Sequence, residues 1–116
     1  MIEIWHNPRC SKSRQALALL QERGVDIRER RYLQDPPDRA DIERARAALG
    51  APAAIDMMRT GEKLFRELGL SKSDDDATLI GAMAEHPILI ERPLVIAGDR
   101  AVIGRPPERV LDLLIL

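Results

Sequence analysis

The N-terminal segment reads Ile2-Glu3-Ile4-Trp5-His6-Asn7-Pro8-Arg9-Cys10-Ser11-Lys12-Ser13-Arg14. Its first five residues predict a strand, and a tight loop that ends at Pro8 follows them. A helix is expected next, because small and apolar residues recur at the three- and four-residue spacing of one helix face, at Ser13, Ala16, Leu17 and Leu20. This arrangement places Cys10, the only cysteine of the chain, at the start of the first helix.

The predicted position of Cys10 favours an ionised thiol. Unpaired N–H groups and partial positive charge at a helix N-terminus stabilise a thiolate or a bound anion, by at most about 2 kcal/mol. Arg9, Lys12 and Arg14 add formal positive charge nearby. A buried, unreactive cysteine is the alternative, but charged neighbours on both sides argue against a core position. We therefore expect a lowered pKa of Cys10 and thiolate chemistry on a negatively charged compound.

Composition sets limits on the class of protein. With 116 residues, of which 45% are hydrophobic and 32% charged, the chain is expected to form one domain, spanning residues 1–116, with one core. The net charge of −1 gives no reason to expect nucleic acid or an anionic membrane as a partner. A single cysteine and an N-terminus without a signal-peptide pattern predict a cytoplasmic protein.

The middle of the chain is predicted to be helical. After the first helix ends at Gly24, residues 27–33 predict a second strand and the prolines of residues 34–38 a loop. Asp38 can cap a helix that ends at Gly50. Three further elements are expected before residue 87: a short helix from Pro52 to Arg59, a helix at 64–68 and, after a loop at 71–76, a helix carrying Leu79, Ile80 and Met83.

The C-terminal part predicts a hairpin and a last helix. Residues 94–96 and 101–103 are rich in β-branched side chains and are separated by a turn at Gly98-Asp99. A helix should begin near Pro106 and direct Val110, Leu111 and Leu114 inward. The order is therefore β-α-β, a helical block over about residues 38–86, and β-β-α.

This order is the thioredoxin-like layout, an α/β fold with a mixed sheet, here interrupted by an inserted helical block. Four segments then resemble the glutaredoxin-linked arsenate reductase family, and together they cover nearly the whole chain in order. They are His6-Asn7-Pro8-Arg9-Cys10-Ser11-Lys12-Ser13-Arg14, Tyr32-Leu33-Gln34-Asp35-Pro36-Pro37, His86-Pro87-Ile88-Leu89-Ile90-Glu91-Arg92-Pro93-Leu94-Val95 and Ile103-Gly104-Arg105-Pro106-Pro107-Glu108. The chain ends sooner after its last helix than typical members do, which resembles a shorter branch of the family.

The resemblance implies a set of catalytic and substrate-binding residues. Cys10 would attack the arsenic of arsenate, and Arg59, Arg92 and Arg105 would hold the oxyanion. Arginine suits that task because its rigid, paired donors match tetrahedral oxyanions and its charge persists at working pH. For Arg59 a solvated surface position is an equally natural interpretation.

Three further positions are assigned by resemblance. Pro93 would be the cis proline that faces the thiol in thioredoxin-like folds, and His6 and Ser13 would tune the thiolate. His6 could instead bond only to backbone, and Ser13 could be a small packing residue or donate its hydroxyl hydrogen to the thiolate. The two histidines and the cysteine have no metal-ligand spacing, so we expect no metal and no bound cofactor.

Position 13 is serine, so Cys10 has no partner for an internal Cys-x-x-Cys disulfide. An external thiol must complete any redox cycle, and the resemblance implies glutathione as co-substrate, followed by glutaredoxin. Two other functions stay open. One is a different monothiol oxidoreductase of the same fold. The other is a Spx-like regulator that binds RNA polymerase, although such regulators commonly carry the Cys-x-x-Cys switch.

Overall fold

A computed structural model describes residues 1–114 of the chain. Four strands form one mixed sheet in the spatial order β2-β1-β3-β4. Strand β1 pairs in parallel with β2 and antiparallel with β3, and β3 pairs antiparallel with β4. The strands are β1 (Ile2–Trp5), β2 (Ile27–Arg30), β3 (Leu94–Ala97) and β4 (Arg100–Ile103). The predicted α/β fold with a mixed sheet is confirmed.

Within residues 1–114, four α-helices and three 3₁₀ helices accompany the sheet. The α-helices are α1 (Ser11–Glu22), α2 (Arg39–Ala48), α3 (Lys63–Glu67) and α4 (Asp76–Glu85). The 3₁₀ helices span Ala54–Met57, Pro87–Leu89 and Pro107–Leu114. Helix α1 connects the parallel strands β1 and β2, as a crossover must. Helices α2 to α4 all lie between β2 and β3. No helix within residues 1–114 has the length and apolar character needed to cross a membrane.

Strand β2 is shorter than predicted. The sequence suggested a strand over residues 27–33, but the strand ends at Arg30. The reason is a turn in which the carbonyl of Arg31 accepts hydrogen bonds from the amides of Gln34, at 2.9 Å, and Asp35, at 2.8 Å. This turn directs Tyr32 into the core, where its side chain is fully buried.

The helical block follows its capping residues. Asp38 caps α2 and forms a reciprocal capping box with Asp41. Asp75 caps α4, so the predicted loop at 71–76 ends one residue early. Asp76 then lies in the first turn of α4, where it accepts hydrogen bonds from the Ala54 amide and from Arg46, both at 2.9 Å. The helix predicted from Pro52 to Arg59 shrinks to the 3₁₀ helix Ala54–Met57.

The last helix is 3₁₀, which changes the residues that face inward. A 3₁₀ helix repeats every three residues, and Pro107, Val110 and Leu113 are accordingly its buried positions. Val110 is buried as predicted. The prediction for Leu111 and Leu114 is wrong in part, because they are only half-buried beside the core.

The sheet separates two apolar layers. On one face, Trp5 and Leu94 pack with Tyr32 and the helical block. On the other face, Ile4 and Val95 pack with α1 and the 3₁₀ helix Pro107–Leu114. This alternation follows from the two-residue period of a strand. The candidate functional residues lie at the sheet edge where β1 ends and β3 begins.

Candidate active site

The register of β1 with β3 determines which loops meet at the site. Trp5 pairs with Leu94, and the two strands are antiparallel. The residues that follow Trp5 therefore lie at the same edge of the sheet as the residues that precede Leu94. These are the loop that carries Cys10 and the Arg92–Pro93 dipeptide.

The Arg92–Pro93 peptide bond is cis, and so is the Arg105–Pro106 bond. Pro93 is buried, and its carbonyl accepts a hydrogen bond from the Gly104 amide at 2.8 Å. A side chain at position 104 would meet Pro93, since a Cβ there would lie 2.8 Å from Pro93 Cγ. Glycine is required for this close approach. The contact between Gly104 and Pro93 thus brings their neighbours in sequence, Arg105 and Arg92, to the same edge of the sheet.

Cys10 is the N-terminal capping residue of α1 and is partly exposed. Burial alone would raise the pKa of Cys10, but three groups stabilise the thiolate. They are the backbone N–H of Ser13, the side chain of Arg92 and the backbone N–H of Lys12. Together they hold the pKa of Cys10 below the ordinary value for a thiol.

The source of this stabilisation differs in part from the sequence prediction. The helix start contributes, as expected, but the cation that stabilises the thiolate is Arg92 rather than a neighbour in sequence. Arg14 donates instead to the Pro8 carbonyl, at 2.9 Å. Arg9 is exposed, and Lys12 acts through its backbone. Flanking charges orient toward solvent when no partner holds them, since Arg and Lys keep their charged ends hydrated.

His6 and Ser13 form a buried pair beneath the Cys10 loop. His6 Nδ1 lies 2.7 Å from Ser13 Oγ, and the same oxygen accepts a hydrogen bond from the Asn7 amide at 3.1 Å. Burial lowers the pKa of His6. The Ser13 hydroxyl is thus engaged with His6 and Asn7, and Ser13 reaches the sulfur through its backbone N–H. The pair ties the end of β1 to the first turn of α1.

Arg59 and Arg105 meet around a carboxylate, Glu91. Its Oε1 lies 3.5 Å from Arg105 Nη1 and 3.9 Å from Arg59 Nε. Arg105 Nη1 also donates to the Arg92 carbonyl at 2.9 Å. A cavity of about 300 Å³ lies here, and its lining residues are Met58, Arg59, Thr60, Gly61, Glu62, Glu91 and Arg105. Arg92 therefore acts on the Cys10 thiolate, whereas Arg59 and Arg105 lie together at the Glu91 carboxylate.

Backbone pairing between two loops holds this arrangement in place. Met58 and Ile90 form an isolated antiparallel bridge. The Glu91 amide donates to the Met57 carbonyl at 2.7 Å, and the Arg59 amide donates to the Leu89 carbonyl at 2.8 Å. Arg59 is thus brought from the helical block to the segment that leads into Arg92.

A family model described as the ArsC family matches residues 5–113. The chain belongs to the ArsC family.

Two relatives from Neisseria meningitidis and Haemophilus influenzae, each named arsenate reductase, resemble the chain over nearly its full length. The first is 46% identical over 110 residues, which are 94% of either chain. The second is 46% identical over 112 residues, which are 96% of this chain and 97% of the other. A solved structure, "Arsenate reductase from Vibrio cholerae", superposes with a TM-score of 0.92 at 44% identity and covers 97% of this chain and 96% of that one. The thioredoxin-like fold expected from the four motifs is confirmed.

In this ArsC-family chain, two residues near the site were not singled out by the sequence. Glu91 lies among the arginines, and Tyr32 is fully buried with its hydroxyl near Cys10 and Arg92. Burial raises the pKa of Tyr32 to about 12. Both residues occur inside the recognised motifs, Glu91 directly before Arg92. A carboxylate adjacent to an arginine that the resemblance assigns to oxyanion binding was the available signal.

The arrangement leaves two buried polar atoms without a hydrogen-bond partner among residues 1–114, the Tyr32 hydroxyl and Arg92 Nε. The Asn7 side chain lies near the hydroxyl but forms no hydrogen bond with it. Buried polar atoms are usually paired, so these two atoms are exceptions within the described residues. A thiolate, a guanidinium and unpaired donors at one edge are suited to nucleophilic attack on the central atom of an oxyanion. Within residues 1–114 no cluster of acidic, histidine or cysteine side chains is arranged to hold a metal ion.

Proposed function

We propose that this protein reduces arsenate to arsenite through a covalent adduct at Cys10, with glutathione and glutaredoxin as thiol donors. The observation that carries the proposal is the placement of Cys10 and Arg92 at the same edge of the sheet, where the Arg92 side chain and the start of α1 stabilise the Cys10 thiolate. It provides an ionised nucleophile and a cation for the incoming oxyanion at the same place. Relatives of nearly equal length that are named arsenate reductases support the choice of substrate.

In the proposed complex, Arg59, Arg92 and Arg105 bind the arsenate oxygens. Of the three, Arg92 is the one that stabilises the Cys10 thiolate, so it would orient the arsenic toward Cys10. Arg105 is linked to Arg92 through the carbonyl hydrogen bond at 2.9 Å, and Arg59 faces the same cavity. Paired guanidinium donors stabilise negative charge that builds up on oxygen as arsenic is attacked.

The proposed reaction consumes two thiols for each arsenate. In the first step the Cys10 sulfur bonds to arsenic, one As–O bond breaks, and that oxygen leaves as water after protonation. Arsenic is still pentavalent at this point. The glutathione thiolate then attacks the Cys10 sulfur, the S–As bond breaks with its electron pair on arsenic, and trivalent arsenite leaves. Cys10 is left as a mixed disulfide with glutathione.

Glutaredoxin would then remove the glutathione from Cys10. Its thiolate attacks the glutathione sulfur, and the Cys10 thiolate is released. An external thiol is needed because Cys10 is the only cysteine of the chain. A cleft of about 250 Å³ beside the Cys10 loop includes Arg9 and Arg31 in its lining, and these guanidiniums would suit the carboxylates of glutathione. Dependence on reduced glutathione places the proposed reaction in the cytoplasm.

Three residues would act on the nucleophile without binding substrate. His6 and Ser13 would tune the thiolate by fixing the Cys10 loop, since their 2.7 Å contact joins β1 to α1. Pro93, buried and in the cis form, would border the thiol from the opposite strand.

The test is an NADPH-coupled assay with arsenate, glutathione, glutaredoxin and glutathione reductase, comparing the natural protein with Cys10→Ser. We expect turnover that requires every component and vanishes in the variant. Residual arsenate reduction by Cys10→Ser would refute the adduct. A natural protein that leaves arsenate unreduced but reduces a glutathione mixed disulfide would replace the proposal with the monothiol oxidoreductase.

A further inference from the structure

Glu91 places one carboxylate oxygen among all three arginines of the candidate site. Its Oε1 lies 3.5 Å from Arg105 Nη1, 3.9 Å from Arg59 Nε and 3.3 Å from the backbone nitrogen of Arg92. The side chain is 24% exposed and lines the same cavity as Arg59 and Arg105. A single anionic atom thus occupies the position that faces both guanidiniums.

The distances show that this carboxylate is held loosely. Charge-assisted N–H···O hydrogen bonds usually measure about 2.7–2.9 Å, and both guanidinium contacts are longer. Partly exposed ion pairs contribute little to stability. An oxyanion that displaces the Glu91 carboxylate from the arginines therefore costs the protein little free energy. A tetrahedral oxyanion offers several oxygens to the arginines where Glu91 offers one.

The charges that line the cavity balance. Arg59 and Arg105 carry two positive charges, while Glu91 and Glu62, which lies 3.9 Å from Arg59, carry two negative ones. No net charge remains. Without the Glu91 charge the net value would be one positive charge, and a dianion would gain more from that increase than a monoanion.

We propose that Glu91 is a specificity-determining residue, an internal anion that occupies Arg59 and Arg105 until an oxyanion displaces it. It limits how much negative charge the site accepts and lowers its affinity for dianions. This inference deepens the proposed function and rests on it for the placement of the oxyanion at these arginines.

The test uses two tetrahedral ions that thiols do not reduce, sulfate as the dianion and perchlorate as the monoanion. Each is titrated calorimetrically into the full chain and into Glu91→Gln at fixed ionic strength. We expect sulfate to bind Glu91→Gln about tenfold more tightly, with a clearly smaller gain for perchlorate. The KM for arsenate should fall in the same variant.

Glu62→Gln is the matched control, because it removes the same charge from the same cavity but contacts only Arg59 among the arginines. Its gain in sulfate affinity should be small. Equal gains in the two variants would overturn the assignment to Glu91. Weaker sulfate binding by Glu91→Gln would also overturn it, since Glu91 would then position the arginines instead of competing at them.

The arsenate assay separates this inference from the proposed function. If the natural protein reduces arsenate but Glu91→Gln leaves sulfate affinity unchanged, the role of Glu91 fails alone. If the natural protein does not reduce arsenate while Glu91→Gln tightens sulfate binding, the proposed function fails and Glu91 remains the competing anion of an oxyanion site.

Discussion

Arg105 Nη1 donates a hydrogen bond to the backbone carbonyl of Arg92 at 2.9 Å. The same nitrogen lies 3.5 Å from Glu91 Oε1. One guanidinium group thus joins the segment that precedes β3 to the segment that follows β4, and it does so at the backbone of the residue whose side chain stabilises the Cys10 thiolate.

Arg105→Lys should weaken arsenate reduction strongly. An ammonium group is a point charge and cannot reproduce the planar fork that bonds to the Arg92 carbonyl and faces the proposed oxyanion site. We expect kcat/KM for arsenate to fall by about 10- to 100-fold, as measured in the coupled assay. Arg109→Lys is the control, because Arg109 is exposed on the last 3₁₀ helix. Equal losses in both variants would contradict the role of Arg105.

The thiolate of Cys10 should depend on Arg92 more than on Arg9. Alkylation by iodoacetamide requires the thiolate, so its rate rises with pH up to the pKa of Cys10. Because that pKa is lowered, the midpoint should lie below that of free cysteine. Arg92→Gln removes a stabilising cation, so the pKa should rise and alkylation at pH 7 should slow by roughly tenfold. Arg9→Gln should leave the midpoint unchanged, and an equal shift there would favour the flanking charges.

Ser13→Ala should destabilise the fold while leaving the thiolate nearly intact. The substitution removes the hydroxyl that pairs with His6 Nδ1 and with the Asn7 amide, so buried polar groups lose their partner. The free energy of unfolding should decrease by about 1–3 kcal/mol, as measured by urea denaturation. The backbone N–H of residue 13 remains, so the alkylation midpoint should hardly move. A midpoint shift as large as that of Arg92→Gln would instead assign direct tuning to the hydroxyl.

Stability should decrease as the pH falls below about 6.5, in part because of His6. Burial lowers the pKa of His6 in the folded protein, so the unfolded chain binds the proton more readily. The folded state therefore keeps its full stability above the unfolded-state pKa and loses it as pH falls toward the folded-state value. His6→Asn removes this titration and should flatten the dependence of the unfolding free energy between pH 6.5 and 5. An unchanged slope would exclude His6 as the source.

Tyr32→Phe should cost little stability even though Tyr32 is fully buried. Its hydroxyl has no hydrogen-bond partner within residues 1–114, so the variant breaks no such bond and leaves the ring in place. We expect the free energy of unfolding to change by less than about 0.5 kcal/mol, as measured by thermal and urea unfolding. Phe65→Leu, which removes ring volume from the same core cluster, is the comparison and should cost more. A large loss in Tyr32→Phe would indicate that the hydroxyl is paired.

Local patterns were sufficient for most elements but not for their ends. The N-cap at Asp38 and the spacing of Ser13, Ala16 and Leu20 are short-range signals. The structure contains the capped helix α2 and buries those three residues of α1. The end of β2 and the 3₁₀ form of the last helix were missed. Both depend on where neighbouring parts of the chain pack, and a window of sequence does not contain that information.

For the candidate site, too, some features follow from the local sequence and others only from tertiary contacts. The sequence by itself determined that Cys10 begins a helix, because the turn residues and the apolar spacing around it are local. It also supplied the motifs that contain Arg92 and Arg105, whereas Arg59 lies outside them in the helical block. Only the tertiary structure decided that Arg92, rather than Arg9, stabilises the Cys10 thiolate and that Glu91 stands between Arg59 and Arg105. The physical reason is that contacts between distant residues are determined by strand register and loop pairing, and electrostatic energy depends on distance in space rather than on separation along the chain.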